Sequence, residues 1–442
     1  MVEANLKIIA ELKLILSEIV NCDELKSFFI SNPDDFSRKR KLTIEKLVVI
    51  LINMPKRSLS IELKDIFGIL EDKNPATKAA FCLQRAKLLP IFFQVWNRVL
   101  VDCFYKYHQG KIKYWKGLRL IAVDGSSINL INTEEVINYY GTHDNQFSES
   151  PMARIVQSYD LLNEIIIFSN LYPINTSEKK IVANIIHQFC EDSVTIFDRG
   201  FPSFELMYLM INEEKPKPFV IRCNVSFNTE VKQFMCSKSK SKIVALKPNQ
   251  SVLASLKSKG HIIELTTSIL VRMVKVKLAS GITEILLTNL YDDQLYNNDD
   301  LKYLYGLRWG IETSYGIQKN QLQIEQFSGH RVICIQQDFH ASVFVANLQS
   351  IISKQCDEYI EEINLLRKHK YKINRNVSWG SLKHNIVKLF LENNPKEILI
   401  KLQYAFQQNI EPIRKNRAYE RKTKVRCKRG KYRTLTNYKR AI

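Results

Sequence analysis

The chain has 442 residues, 45% of them hydrophobic, enough for a sizeable core shared between two or three domains. Lysine and arginine number 65 against 45 aspartates and glutamates, and the net charge of +20 calls for an anionic partner, nucleic acid ahead of a membrane surface. No run of about 18 apolar residues occurs, and Glu3, Lys7, Glu11 and Lys13 interrupt the first twenty, so neither a membrane span nor a secretory leader is expected and the chain reads as intracellular.

Residues 4–20, 43–53, 58–70 and 75–103 carry a helical period, with Thr43 as the N-cap of the second segment. The basic run Arg38, Lys39, Arg40 and Lys41 lies between the first two. A helical N-terminal DNA-binding region over 1–110 is expected, although small bundles with basic linkers are common and say nothing about DNA by themselves. The nine cysteines contain no CxxC pair and no histidine at zinc-ligand spacing, so neither structural zinc nor a disulfide framework is expected.

From residue 118 the texture changes. Apolar runs at 118–123, 154–160 and 164–171 read as three neighbouring strands. A helix over 177–190, a strand over 193–197, a helix over 203–211 and a strand over 218–222 follow. This order predicts an α/β sheet with helices on its faces. Residues 224–292 read as a mostly β insertion, with strands at 242–246, 261–265, 269–278 and 283–290, opened by a flexible basic loop from Ser237 to Lys242. Helices return at 299–321, 338–354 and 381–391. The expected division is thus a helical region over 1–110, a catalytic domain over 115–355 and a helical region over 356–442 with a basic tail over 412–442. Residues 414–440 hold thirteen lysines or arginines and one acid, Glu420, and are expected to be disordered without DNA.

Asp124 and Asp198 each follow an apolar strand, where α/β sheets place reactive groups. Two such carboxylates can share a hard cation such as Mg²⁺. Taken singly, an Asp-Gly after a strand is more often a turn. The helix over 299–321 adds a third feature. Tyr305, Arg308, Glu312 and Lys319 fall at spacings of 3, 4 and 7, within a stripe about 60° wide. A solvated face laced with salt bridges can look like this. Here Tyr303, Leu304, Leu307, Trp309 and Ile311 flank the stripe, so the helix is expected to be packed, with Trp309 in the core. Asp160, Asp192, Glu205 and Asp338 read as caps or surface charge, and His143 and His187 as structural or solvated.

The pattern Tyr305-x2-Arg308-x3-Glu312-x6-Lys319, with Asp124 in IAVDGS and Asp198 in IFDRGF, resembles that of DDE transposases of the insertion-sequence-four family. The resemblance runs from about residue 118 to 348, through the GH…QQDFHASVFVANL segment, with weaker echoes in AFCLQRAKL and the NYKR ending. It implies a ribonuclease-H-like catalytic core in which Asp124, Asp198 and Glu312 hold two Mg²⁺ ions, with Mn²⁺ able to substitute. It further implies cut-and-paste transposition by strand cleavage, hairpin formation and strand transfer. Tyr305, Arg308 and Lys319 would contact the DNA. The implied partners are double-stranded DNA, as transposon terminal repeats and target, and a second copy of the chain on paired ends, in a nucleoid-associated setting in a bacterial cytoplasm without a membrane. A metal-dependent endonuclease that does not join DNA, and a domesticated DNA-binding relative, are the alternatives.

Overall fold

The computed structural model describes residues 1–413 except 39, 54–55, 146–147 and 279–280. The basic tail from 414 and Lys39 of the basic run therefore lie outside the described residues. Two compact units form. The first comprises Met1–Ile112, Ile128–Ala153 and the described part of Ile317–Ile442; the second comprises Lys113–Ser127 and Arg154–Gly316. Residues 1–110 and 356–413 thus fall in the first unit, and the 115–355 range is divided between both. Among the described residues no helix is long and apolar enough to cross a membrane.

The first unit is helical. Thr43 caps the helix Ile44–Ile52 by accepting the amide of Lys46, and that helix is apolar on nearly every face, as a fully buried helix must be. The expected 75–103 helix is two, Lys78–Arg85 and Ile91–Tyr107. Pro90 explains the division, since it has no N–H to continue the first helix and presets the start of the second. Trp96 of the second stacks on Phe344 of the helix Val332–Ser353, with ring centroids 4.3 Å apart and planes 3° apart. Burying each ring contributes roughly 1.5–3 kcal/mol, so apolar packing holds this helix pair. The helices Asp357–Leu366 and Pro395–Gln408 lie within the expected helical region over 356–442, where the sequence singles out only 381–391.

The second unit is built on strands β1 (Arg119–Asn129), β3 (Ser148–Asp160), β4 (Ile165–Pro173), β5 (Ser193–Phe197), β6 (Phe219–Cys223), β7 (Ser241–Leu246), β8 (Ile269–Lys277) and β9 (Thr283–Thr288). A short strand β2 (Thr142–Asn145) pairs with the start of β3 within the first unit. The sheet runs β3-β1-β5-β6-β9-β8-β7, with β4 also paired to β3. Strands β1, β5 and β6 are parallel, and β6, β9, β8 and β7 are antiparallel. The order β4-β3-β1-β5-β6 with a parallel right half is that of a ribonuclease-H-like core. Residues 224–292 supply the three strands that extend the sheet beyond β6. They also form two short helices, Thr229–Cys236 and Gln250–Ser258, that the hydrophobic pattern does not announce. Residues 261–265 are not a strand. Ile262 is exposed and Glu264 to Thr267 forms a turn, so the segment has no ladder partner.

Alternation along the central strands assigns their two faces. Val123, Phe197, Phe219 and Ile221 pack on one side against Ile181 and Val182 of the helix Glu178–Ile185 and Met207 and Met210 of the helix Phe204–Ile211. Leu120, Val194, Ile196 and Val220 pack on the other against Leu301, Leu304 and Tyr305. Burial on both faces is why β5 and β6 read as unbroken apolar runs.

Candidate active site

The parallel register ends at Val123 opposite Phe197, which makes Asp124 and Asp198 the next residue on each strand. Asp198 stands at the end of β5, where Phe201 N–H returns to its carbonyl. Asp124 does not end β1, as its Asp-Gly sequence suggests; the strand continues to Asn129 and only its pairing with β5 stops there. Both aspartates share the parity of Leu120, Val194 and Ile196, so both point to the face covered by Leu301, Leu304 and Tyr305. Burial pushes the Asp124 carboxyl up to about 6; Asp198 and Glu178 add to the rise, while the Gly125 N–H and Arg308 oppose it.

The expected 299–321 helix is two segments, Asn298–Leu307 and Trp309–Asn320. Asn297 and Asp300 form a capping box at the start of the first. Around Arg308 the backbone bonds run Arg308 N–H to Tyr305 and Ile311 N–H to Arg308, three-residue spacings that tighten the turn. Tyr305 donates its hydroxyl to Asp198 Oδ1 at 3.2 Å. Arg308 Nη2 lies 3.9 Å from that same oxygen and 2.8 Å from Glu312 Oε1. Those two carboxylate oxygens of Asp198 and Glu312 therefore cannot lie farther apart than the sum of the two distances. Arg308 is 5% exposed, and its Nε is buried without a hydrogen-bond partner. Burial pushes its guanidinium down, but Tyr305, Asp198 and Glu312 together raise it above its ordinary value. Burial raises the Tyr305 phenol, keeping it a donor.

Five of the six sequence-derived residues, Asp124, Asp198, Tyr305, Arg308 and Glu312, thus belong to the second unit. Lys319 continues the same helix but groups with the first unit, where burial lowers its ammonium and Glu325 opposes that. Trp309 is not a core residue. It is 56% exposed and lies beside the Arg308 guanidinium, 5.8 Å from ring centroid to Cζ.

Three carboxylates are the hard oxygen donors that Mg²⁺ or Mn²⁺ takes, and the half-buried Asp124, whose carboxyl the Asp198 charge helps to raise, suits such an ion. Among the described residues, no three Asp, Glu, His or Cys side chains are gathered closely enough to hold one ion. Glu312 is instead engaged by Arg308, so Asp198 and Glu312 are linked through a guanidinium rather than gathered round a common point.

The sequence reading passes over two side chains, Glu178 and Tyr315, and takes a third, Asp338, for a cap or surface charge. Glu178, first residue of its helix, reaches Gly125 and is paired with Arg154. Tyr315 donates to the Asp124 carbonyl at 2.9 Å. Its spacing of three from Glu312 is the signal that could have found it. Asp338, read as a cap or surface charge, is buried in the first unit at 8% exposure. It accepts from Arg85 Nη2 at 2.9 Å and from Ser328. Gln337 takes Arg85 Nε at 2.8 Å, so the AFCLQRAKL and QQDFHASVF segments meet here. Asp160 caps the amides of Leu162 and Asn163, as its reading as a cap implies.

The family model described as Transposase DDE domain matches residues 115–348, more than half of the chain. InsZ of Escherichia coli K12 is 28% identical over 103 residues, covering 23% of this chain and 34% of InsZ. The transposase InsG for insertion sequence element IS4, from the same organism, is 22% identical over 294 residues, 65% of this chain and 64% of InsG. The matched region thus spans about a third of one relative and just under two thirds of the other. Among solved structures, piggyBac transposase in a synaptic complex with hairpin DNA aligns over 90% of this chain and 81% of its own, at 11% identity and a TM-score of 0.42, a loose likeness. The match over residues 115–348 settles the family: this chain belongs to the DDE transposases.

Proposed function

We propose that this protein is a DNA transposase that excises an insertion sequence and inserts it elsewhere by metal-dependent strand cleavage, hairpin formation and strand transfer. The observation that carries the reading is the meeting of Tyr305, Arg308 and Glu312 with Asp198, which, like Asp124, follows the last residue paired between β1 and β5. Residues from one strand end and two successive helical segments, far apart in sequence, meet at a single buried guanidinium.

In this reading Asp124, Asp198 and Glu312 hold two divalent cations, Mg²⁺ with Mn²⁺ as a substitute. Such ions activate a water or 3′-hydroxyl nucleophile and stabilise the leaving 3′-oxygen. Glu312 must turn from Arg308 to serve, which frees the guanidinium for a phosphate. The partnerless Nε of Arg308 supports that role, because a fork with an open donor suits bidentate phosphate contact. Tyr305 fixes the Asp198 carboxylate and Lys319 adds a point charge. Exposed Trp309 offers a face for a base unstacked at a hairpin end. The helical segment 1–110 and the basic tail supply further contacts to terminal repeats and target DNA, and two copies of the chain act on paired ends. An assay on duplexes carrying the terminal inverted repeat of the encoding element tests the reading. Nicked, hairpin and strand-transfer products with Mg²⁺ support it; cleavage without any joined or hairpin product would favour the endonuclease alternative.

A further inference from the structure

A fourth carboxylate bears on the same strand from its opposite face. Gly125 has the parity of Val123, so it faces the helix Glu178–Ile185 rather than the Arg308 helix. A Cβ placed on Gly125 would overlap the carboxyl carbon and both carboxyl oxygens of Glu178. A side chain there would displace the Glu178 carboxylate, the end of a side chain that Arg154 holds in place. Arg154 on β3 pairs with Glu178 through Nη1 and donates Nε and Nη2 to the Ile174 carbonyl at 3.2 and 3.0 Å. The guanidinium thus ties the acid to the turn leading into its helix. On the other face, the buried Tyr315 hydroxyl holds the Asp124 carbonyl at 2.9 Å. The Asp124-Gly125 peptide thus has the Tyr315 hydroxyl on its carbonyl and the Glu178 carboxylate close against Gly125.

We propose that Glu178, held by Arg154, is a positioning residue that fixes the Asp124-Gly125 backbone and so aims the Asp124 carboxylate. This rests on the assignment of Asp124 to the metal-dependent chemistry proposed above. A carboxylate that must meet an ion and a scissile phosphate tolerates little displacement; about 1 Å can cost on the order of 100-fold in rate. The role is conferred by packing against Gly125, which gives it a signature of its own: a clash at Gly125 should be relieved by shortening Glu178.

The test uses the full-length protein with Gly125→Ala, Glu178→Ala, the double variant and Asp124→Ala. It compares single-turnover cleavage of a terminal-repeat duplex, DNA affinity and Mn²⁺ binding followed by electron paramagnetic resonance. Melting curves check that each variant folds. Gly125→Ala should lose about 100-fold in cleavage and Glu178→Ala about tenfold, both in the chemical step with DNA affinity unchanged. The double variant should recover to near the level of Glu178→Ala, and Mn²⁺ affinity should fall and recover in parallel. A double variant no better than Gly125→Ala, or a Glu178→Ala protein with wild-type cleavage and Mn²⁺ affinity, overturns the proposal while Asp124→Ala remains inactive. Cleavage surviving in Asp124→Ala would instead overturn the underlying assignment, and this proposal with it.

Discussion

The Tyr305 hydroxyl lies 3.2 Å from Asp198 Oδ1, the oxygen that Arg308 also approaches. A residue of the helix thus orients a carboxylate at a strand end, and the two segments are separated by more than a hundred positions. Tyr305→Phe removes the hydroxyl and keeps the packed ring. A hydrogen bond to a carboxylate is worth about 1.5–3 kcal/mol, and the low end of that range gives a fall of about tenfold in strand cleavage with little change in melting temperature. Arg308→Lys keeps the charge but loses the fork and should cost about 100-fold. Single-turnover rates check both; equal losses in the two variants would refute the distinct roles.

A second prediction concerns the buried network of the first unit. Arg85 is 1% exposed and is neutralised by Asp338. Breaking such a pair by removing one partner leaves an uncompensated buried charge, a loss of about 3–5 kcal/mol. Asp338→Ala should therefore unfold at a much lower urea concentration than wild type. Replacing both, as Arg85→Met with Asp338→Leu, should be milder than the single change. A urea midpoint unchanged in Asp338→Ala would refute this.

Acid stability gives a third. Burial, with the Lys354 charge adding, pushes the His108 imidazole down to about 4, and burial pushes His340 down to about 3, from the ordinary 6.5. His108 faces Asn5 at 3.0 Å, and His340 faces Gln94 at 2.9 Å. As pH falls below 6.5 the unfolded chain takes up protons that the folded chain refuses. The stability tied to neutral histidines is intact above 6.5 and drains as pH falls toward 4 and 3. Urea midpoints at pH 7.5 and 5 should differ more for wild type than for His108→Gln with His340→Gln. Identical differences would show that other groups control acid lability.

The sheet and the helical stripe beside it are legible in the sequence because their signals are local. Strands β5 and β6 are buried on both faces and read as apolar runs, and the spacing of Tyr305, Arg308 and Glu312 fixes a helical stripe. Glu178 is not legible. It opens a helix as many acids do, favourable to the helix dipole, and its approach to Gly125 depends on two elements packing across a sheet. Asp338 escapes likewise: a lone acid in an apolar helix reads as a cap until Arg85, 253 residues away, is placed beside it. The break at Arg308 escapes a periodicity argument because three-residue bonding shifts the stripe only slightly. The expectation of a core Trp309 fails because a bulky apolar neighbour to a polar stripe can face outward as well as inward.

The tail offers a fourth prediction, from charge alone. Residues 414–440 carry thirteen basic side chains and one acid. The fewer phosphates the protein neutralises, the fewer counterions leave the DNA on binding. Deleting the chain from Arg414 onward should weaken DNA affinity and flatten its dependence on salt. A slope unchanged by the deletion would mean that the tail does not meet DNA.

We propose that Asp124, Asp198 and Glu312 act together as the ligands for metal-dependent strand cleavage. The most direct measurement is cleavage of a duplex bearing the terminal repeat by Asp124→Ala, Asp198→Ala and Glu312→Ala, with DNA affinity measured on the same preparations. Each variant should lose about a thousandfold or more in cleavage with Mg²⁺ or Mn²⁺, since an ion without its ligand supplies neither nucleophile nor leaving-group stabilisation. DNA affinity should hold within about twofold, because the basic side chains that grip the backbone remain. Wild-type cleavage by any one of the three, in a protein that still binds the repeat, would contradict the account.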